Sequence, residues 1–513
     1  MSPTETYTLD SPFTAVLNTL QKRLKDTGGY DDMINLGLGN PGTALAPELQ
    51  DVLAERARGD KAKQAEGSPG FFGYTSPVST KETKKVLADF VTNIRGTDYG
   101  FKQEGEQYDQ IAVTPSGITR SIQDYLQLLY NKEKKLSVLV PTPAYAWYFS
   151  AIKNIGRSGP GDGGAGDIDV IKLDTRQHGW KLDATSLQRA LSNEQPDTII
   201  LNYPNNPTGQ DLNEEEWKQV ADVLRTYIAD NHDHFRIILD NAYKELSFDD
   251  HKGLLEVAPD LMSHTIEFNS MAKLHAYAGQ DGPGFAVSKN TNDIAMLNEY
   301  NKPHLGLGEP REELLREAFS SDFLTKERIE QTRRIYRKNC RFVANYVNAT
   351  LGKLGDNHPV VMRPDGGMFA YADFGKWLDK KIDNTEARRF RSILSNAMPE
   401  HTEYFNKAVF QNDKINDDKD LSFYLLLKAH VVTLPGQDFD EAPKDGMLRL
   451  ALGDIGETTS YKGKKPKPKF LTPYLDEQDR GERPYHTLRK LKVAMDRSID
   501  VLRGLEQGAF LAT

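Results

Sequence analysis

The chain has 513 residues, 38% of them hydrophobic, and a formal net charge of −9 from 65 basic and 74 acidic side chains. That length supports two domains around a large core, and the acidic balance excludes a broad surface for nucleic acid or anionic membrane. A single cysteine, Cys340, excludes an internal disulfide or a cysteine metal cluster; with no apolar run of membrane-spanning length and no secretory signal in Met1 to Asp10, the expected location is the cytoplasm.

Taken in order, strand-like and helix-like stretches alternate, which predicts an α/β fold with a mainly parallel sheet covered by helices. Residues 1–54 are read as an N-terminal segment packing on a small C-terminal domain, 55–320 as a large domain, and 321–513 as the small domain with an inserted loop near 461–485. Strands are expected at Gln110 to Val113, Ser137 to Val140, Thr198 to Asn202, Arg236 to Asp240, Thr265 to Asn269 and Phe285 to Ser288. Helices are expected at Ser121 to Tyr130, Glu214 to Asp230, Thr325 to Leu351 and Leu488 to Leu505. Two stretches read as insertions: Gly159 to Gly166, where Asp and Gly interleave, and Tyr461 to Tyr485, rich in Lys, Pro and Asp. The second is expected to act as a substrate-shaping lid or a dimer contact. His232-Asp233-His234, the one tight histidine cluster, falls in a polar turn, so no metal site is expected.

Four short segments carry chemistry. Val113-Thr114-Pro115-Ser116-Gly117-Ile118-Thr119 leads into a helical pattern, and the free amides of a helix start accept phosphate, although most Ser-Gly turns before helices bind nothing. Then come N-Y-P-N-N-P-T-G at 202 to 209, D-N-A-Y at 240 to 243 and S-M-A-K at 270 to 273. Alone, these are a turn, a helix cap and a solvated lysine. Their order and the strands that precede Asp240 and Lys273 favour a joint reading, because open α/β sheets place ligands at the carboxyl ends of strands. Lys273 offers an amine able to form an imine, and Asp240 a carboxylate able to keep a pyridine nitrogen protonated. Asn206 and Tyr243 offer hydrogen bonds to a phenolic oxygen. This is the inventory that pyridoxal 5'-phosphate requires.

From about the fourth decade of residues to near the end, the chain resembles the fold type I pyridoxal-phosphate enzymes of the class I and II aminotransferase group. The resemblance implies a large domain with a mainly parallel sheet of the seven-stranded type and a smaller α+β C-terminal domain. Ile34 to Pro41 is similar to the segment lying over the substrate, with Gly39 beside its carboxylate. Gly73-Tyr74-Thr75 is similar to the segment whose tyrosine reaches the phosphate in the neighbouring subunit, implying a homodimer with shared active sites. Ser116, Gly117 and Ser270 would hold the phosphate, with His275 as a further candidate, and Tyr145 would stack on the ring, with Trp147 and Tyr148 as neighbours that read either as site or as core. Pro364 to Phe369 resembles a turn opening a strand of the small domain, and Met447 to Ala451 resembles the strand whose arginine, Arg449, clamps the substrate carboxylate with two parallel hydrogen bonds.

One departure stands out. The family's lysine is followed by G-x-R-x-G, with its arginine eight residues on; here that position is Asp281, within Gly279-Gln280-Asp281-Gly282-Pro283-Gly284. The activity implied is transfer between an amino acid and a 2-oxo acid by a ping-pong route. A lyase, a decarboxylase or a replacement or cyclising enzyme of the same fold is the alternative, and a catalytically silent binding protein a third reading. Arg311 and His304, near the turn Lys302 to Arg311, read first as part of a surface turn and second as candidates to meet an acidic substrate group.

Overall fold

The computed structural model describes residues 13–39, 41, 46, 48–52, 54, 78–101, 108–133, 135–155, 168–230, 233–277, 282–302, 307–354, 358–440, 445–453 and 486–507. Tyr74, Asp281, His304 and both expected insertions lie outside the described residues.

Seven strands form the central sheet: β2 (Ile111–Thr114), β3 (Leu136–Thr142), β4 (Ile168–Asp174), β5 (Thr198–Leu201), β6 (Arg236–Asp240), β7 (Thr265–Ser270) and β8 (Gly284–Ser288), in the order β2-β8-β7-β6-β5-β3-β4. The run from β4 to β7 is parallel, whereas β8 lies antiparallel between β7 and β2. Residues of β2, β3, β5 and β8 are buried throughout, as expected of strands covered on both faces. Alternate side chains choose the face. Ile200, Ile238, Ile266 and Phe268 pack with Ile122, Tyr125 and Leu126 of the helix Ile118–Glu133. Ile199, Ile237 and Leu239 join the core of Leu187, Val220 and Leu224, from the helices Ala184–Glu194 and Glu214–Ala229.

β4 was not among the expected strands. It is the sheet's edge, and its pattern Ile-Asp-Val-Ile-Lys-Leu-Asp is half exposed, so it lacks the apolar run that marks its buried neighbours. The helix expected from Ser121 begins at Ile118.

A second, antiparallel sheet has the order β11 (Phe369–Asp373), β14 (Met447–Ala451), β13 (Leu434–Pro435). The short strands β9 (Lys353–Leu354) and β10 (His358–Pro359) pair beside it in sequence, and β1 (Ile34–Asn35) runs parallel to β12 (Val431–Val432). The N-terminal strand is thus stitched to the C-terminal part, with Ala451 N–H donating to the Leu36 carbonyl at 2.6 Å. From there the chain runs on to Gly39, at the carboxyl ends of the central strands.

Candidate active site

β6 ends at Asp240, in register with Phe268 of β7, and β7 ends at Ser270, three residues before Lys273. Chain continuity therefore delivers both groups to one edge of the sheet. Asn202, just beyond β5, ties that edge together: its amide donates to the Asp240 carbonyl at 3.0 Å and its oxygen accepts the Asn206 N–H at 3.0 Å.

A cavity of about 430 Å³ opens here, lined by Gly39, Ser116, Gly117, Tyr145, Asn206, Asp240, Tyr243, Ser270, Lys273 and Arg449. Ten of the expected cofactor and substrate residues therefore reach the same space. His275 does not. It is buried beside the cavity wall, with its ring centroid 5.1 Å from that of Phe319 and 5.9 Å from that of Phe323. Burial pushes its imidazole down to about 3, so it is neutral and turned into the core.

Asp240 is buried, and burial pushes its carboxyl upward. Two hydrogen bonds oppose that push, one from the Tyr148 hydroxyl to Oδ2 and one from the Ala242 N–H to Oδ1 at 3.0 Å. Tyr148 was left between core and site by the sequence; its signal is the spacing of three from Tyr145 at the start of a helix, which puts both rings on one face. Their centroids lie 5.5 Å apart, edge to face.

Lys273 Nζ donates to the Gly39 carbonyl at 2.7 Å. Desolvation first, and then the Arg449 charge, lower its amine to about 8 against the opposing pull of Asp240. Arg449 is buried between the rings of Phe369 and Phe439, 4.6 and 5.0 Å from their centroids. Its Nη1 donates to Asn206 Oδ1 at 3.1 Å and its Nη2 to the Gly37 carbonyl at 2.5 Å, while its buried Nε has no partner among the described residues. Because a guanidinium only donates, Asn206 must turn its oxygen to Arg449 and keep its NH₂ for the cavity. A Cβ at Gly39 would sit 3.2 Å from the Phe369 ring, closer than ordinary contact, so any side chain there would have to displace that ring.

At the far wall, every carbonyl of the turn before the helix Ile118–Glu133 is tied back. Pro115 O accepts from Arg311 at 2.5 Å, Ser116 O from the hydroxyls of Thr114 and Ser121 at 3.2 and 3.1 Å, and Gly117 O from Ser121. With its acceptors committed, the turn is left to offer amides, the arrangement that receives an anion. Arg311, a candidate for an acidic substrate group, instead braces this turn from behind.

A probable aspartate/prephenate aminotransferase of Rickettsia felis is 26% identical over 279 residues, 51% of this chain and 56% of that protein. A probable N-acetyl-LL-diaminopimelate aminotransferase of Bacillus subtilis is 26% identical over 275 residues, 53% and 60% of the two chains. The matched stretch thus spans little more than half the length of these curated relatives. The crystal structure of an aspartate aminotransferase from Rhizobium meliloti superposes with a TM-score of 0.66 at 16% identity, covering 97% of this chain and 99% of the other. An aromatic aminotransferase from Pyrococcus horikoshii gives 0.63 at 18%, covering 95% and 99%. These structures share the fold. Since the sequence pattern of the family described as aminotransferase class I and II runs from residue 31 to 459, the chain belongs to the class I and II aminotransferases, whose cofactor is pyridoxal phosphate.

Proposed function

We propose that this protein moves an amino group from an amino acid to a 2-oxo acid in a ping-pong cycle, as a cytoplasmic homodimer with shared active sites. The observation that carries the reading is the convergence of Lys273, Asp240, Asn206, Tyr243 and Arg449 on one cavity of about 430 Å³. The donors and acceptors there suit pyridoxal phosphate: amides at a turn for its phosphate, a buried carboxylate for its ring nitrogen, and an amine of lowered pKa for its carbonyl. The dimer rests on the resemblance at Gly73-Tyr74-Thr75, and the compartment on the single cysteine. Among the described residues no helix is long and apolar enough to cross a membrane.

Bound pyridoxal phosphate supplies a carbonyl that condenses with amines and a conjugated ring that takes up the electron pair released at the substrate's Cα. The chain does the rest. Arg449, already held in plane by Gly37 and Asn206, binds the substrate carboxylate and so fixes which Cα bond faces Lys273. Lys273 Nζ, as a free amine, takes the Cα proton and returns it one step later. Asp240 would hold a proton on the cofactor's ring nitrogen, a cation that would offset the burial opposing the carboxylate's charge, and Tyr148 keeps the carboxyl group oriented. Tyr243, whose phenol burial holds far above its usual range, stays protonated and donates, as does the Asn206 NH₂.

The test is an absorption spectrum of the purified protein, repeated with a panel of amino acids while keto-acid products are assayed. A visible band lost on borohydride treatment with label on Lys273, and bleached by one amino acid with release of its keto acid, is expected. Asp240→Ala should lose turnover and keep its far-ultraviolet circular dichroism. Products other than a keto acid would move the assignment to a lyase or cyclising enzyme.

A further inference from the structure

The family's phosphate arginine has no counterpart after Lys273, yet the end of that loop still meets the anion-receiving turn. Gly282 lines the cavity, and its carbonyl lies 3.7 Å from where a Cβ of Gly117 would stand. A dianion seated there would face amides and hydroxyls alone unless a cation came from elsewhere. Among the described residues the cavity is lined by two guanidiniums, Arg449 and Arg120. Arg449 is committed to Gly37 and Asn206. Arg120 stands in the first turn of the helix Ile118–Glu133, directly beyond the turn whose carbonyls are tied back. Among the described residues its contact is an Nε bond to Asp124 Oδ1 at 2.7 Å, one helical turn on, with the Arg120 side chain 49% exposed and that of Asp124 9%. Only Nε is so committed, which leaves the Nη groups of a half-exposed guanidinium for another anion.

We propose that Arg120 supplies the cation for the cofactor's phosphate in place of the missing arginine. Its Nε keeps Asp124 and its Nη groups take the phosphate, while Arg311 fixes the turn from behind through Pro115 O. The charge then comes from the helix that donates the amides, not from the loop that follows the lysine. This rests on the functional reading above, since it presumes the same cofactor at Lys273.

The experiment compares pyridoxal phosphate with pyridoxal, which has the same ring and carbonyl and no phosphate. Apoprotein is titrated with each, and binding is read by absorbance and by borohydride trapping on Lys273, without any turnover. In Arg120→Gln the affinity for pyridoxal phosphate should fall about ten- to a hundredfold, the worth of a charge-assisted hydrogen bond, while pyridoxal binds as to wild type. Arg120→Lys should recover part of the loss, and inorganic phosphate should compete against wild type more strongly than against Arg120→Gln. An unchanged affinity for pyridoxal phosphate in Arg120→Gln, or an equal loss for both ligands, overturns the proposal. Wild-type protein that traps neither ligand on Lys273 overturns the functional reading and this inference with it.

Discussion

Lys273 is an amine that bonds a carbonyl and not a carboxylate. Its Nζ meets Gly39 O, desolvation opposes its charge, and the nearest strong fields come from Arg449, which repels its proton, and Asp240, which attracts it. The result is an amine near 8, poised between a resting cation and a working nucleophile. Because the folded protein holds this proton less tightly than the unfolded chain, the group costs stability in full below about pH 8. That cost is relieved as the pH climbs from there to the ordinary lysine range. Reactivity follows the same titration. Borohydride trapping of pyridoxal on Lys273 in apoprotein should rise with pH, with a midpoint near 8. The midpoint should move down in Asp240→Asn, which removes an attracting charge, and up in Arg449→Gln, which removes a repelling one. A midpoint that ignored both substitutions would show that burial alone sets the amine.

At the scale of elements, two turns hold the site together. The turn at Asn205–Gly209 is closed by Gly209 N–H to Asn205 O at 2.8 Å and by Thr208 onto Asn205 Oδ1. The turn at Pro364–Gly367 then docks on it, with Asp365 and Gly366 N–H donating to Gly209 O at 2.7 and 2.9 Å. Phe369, which packs on Arg449 and on Gly39, starts the strand that leaves this junction. Gly209 has φ +70°, and a Cβ there would lie 2.8 Å from both Phe369 O and Pro364 Cβ. Gly209→Ala should therefore cost about 2 to 4 kcal/mol, from left-handed backbone plus overpacking. A lower urea midpoint at unchanged slope, with a raised KM as Phe369 and Arg449 shift, would be the signature.

These turns were legible because Gly, Pro and Asn have few conformational alternatives, so N-N-P-T-G and P-D-G-G could be read without a structure. Asp240 and Arg449 were legible because one ends and the other interrupts an apolar strand, where a charge needs a reason, and Lys273 because it follows a strand end by three residues. Tyr148 and Arg120 were not. A tyrosine in an apolar helix and an arginine in a helix's first turn are ordinary in any sequence, and only the packing of that helix against β6, or of that turn against the lysine loop, gives them a role. Edge strand β4 escaped for a related reason: half its side chains face water, and composition records burial more faithfully than it records hydrogen bonding.

Over the whole molecule, the site draws on segments that are far apart in the chain. Gly37 and Gly39 arrive from the N-terminal strand, which pairs with β12 and is pinned by Asp32 to Arg497 in the last helix at 2.6 Å. Asp240 and Lys273 come from the central sheet, and Arg449 from the second sheet. The resemblance at Gly73-Tyr74-Thr75 adds a further source, a tyrosine from the partner subunit. That proposal can be decided without a structure of the dimer. If Tyr74 acts across the interface, Lys273→Ala and Tyr74→Ala subunits, each nearly inactive alone, should complement when co-expressed. A mixed dimer has one site with both residues intact and one with neither. Random pairing makes about half the dimers mixed, so about a quarter of wild-type activity should return. If Tyr74 acts within its own subunit, every site in the mixture carries one defect, and activity cannot exceed the mean of the two variants assayed separately.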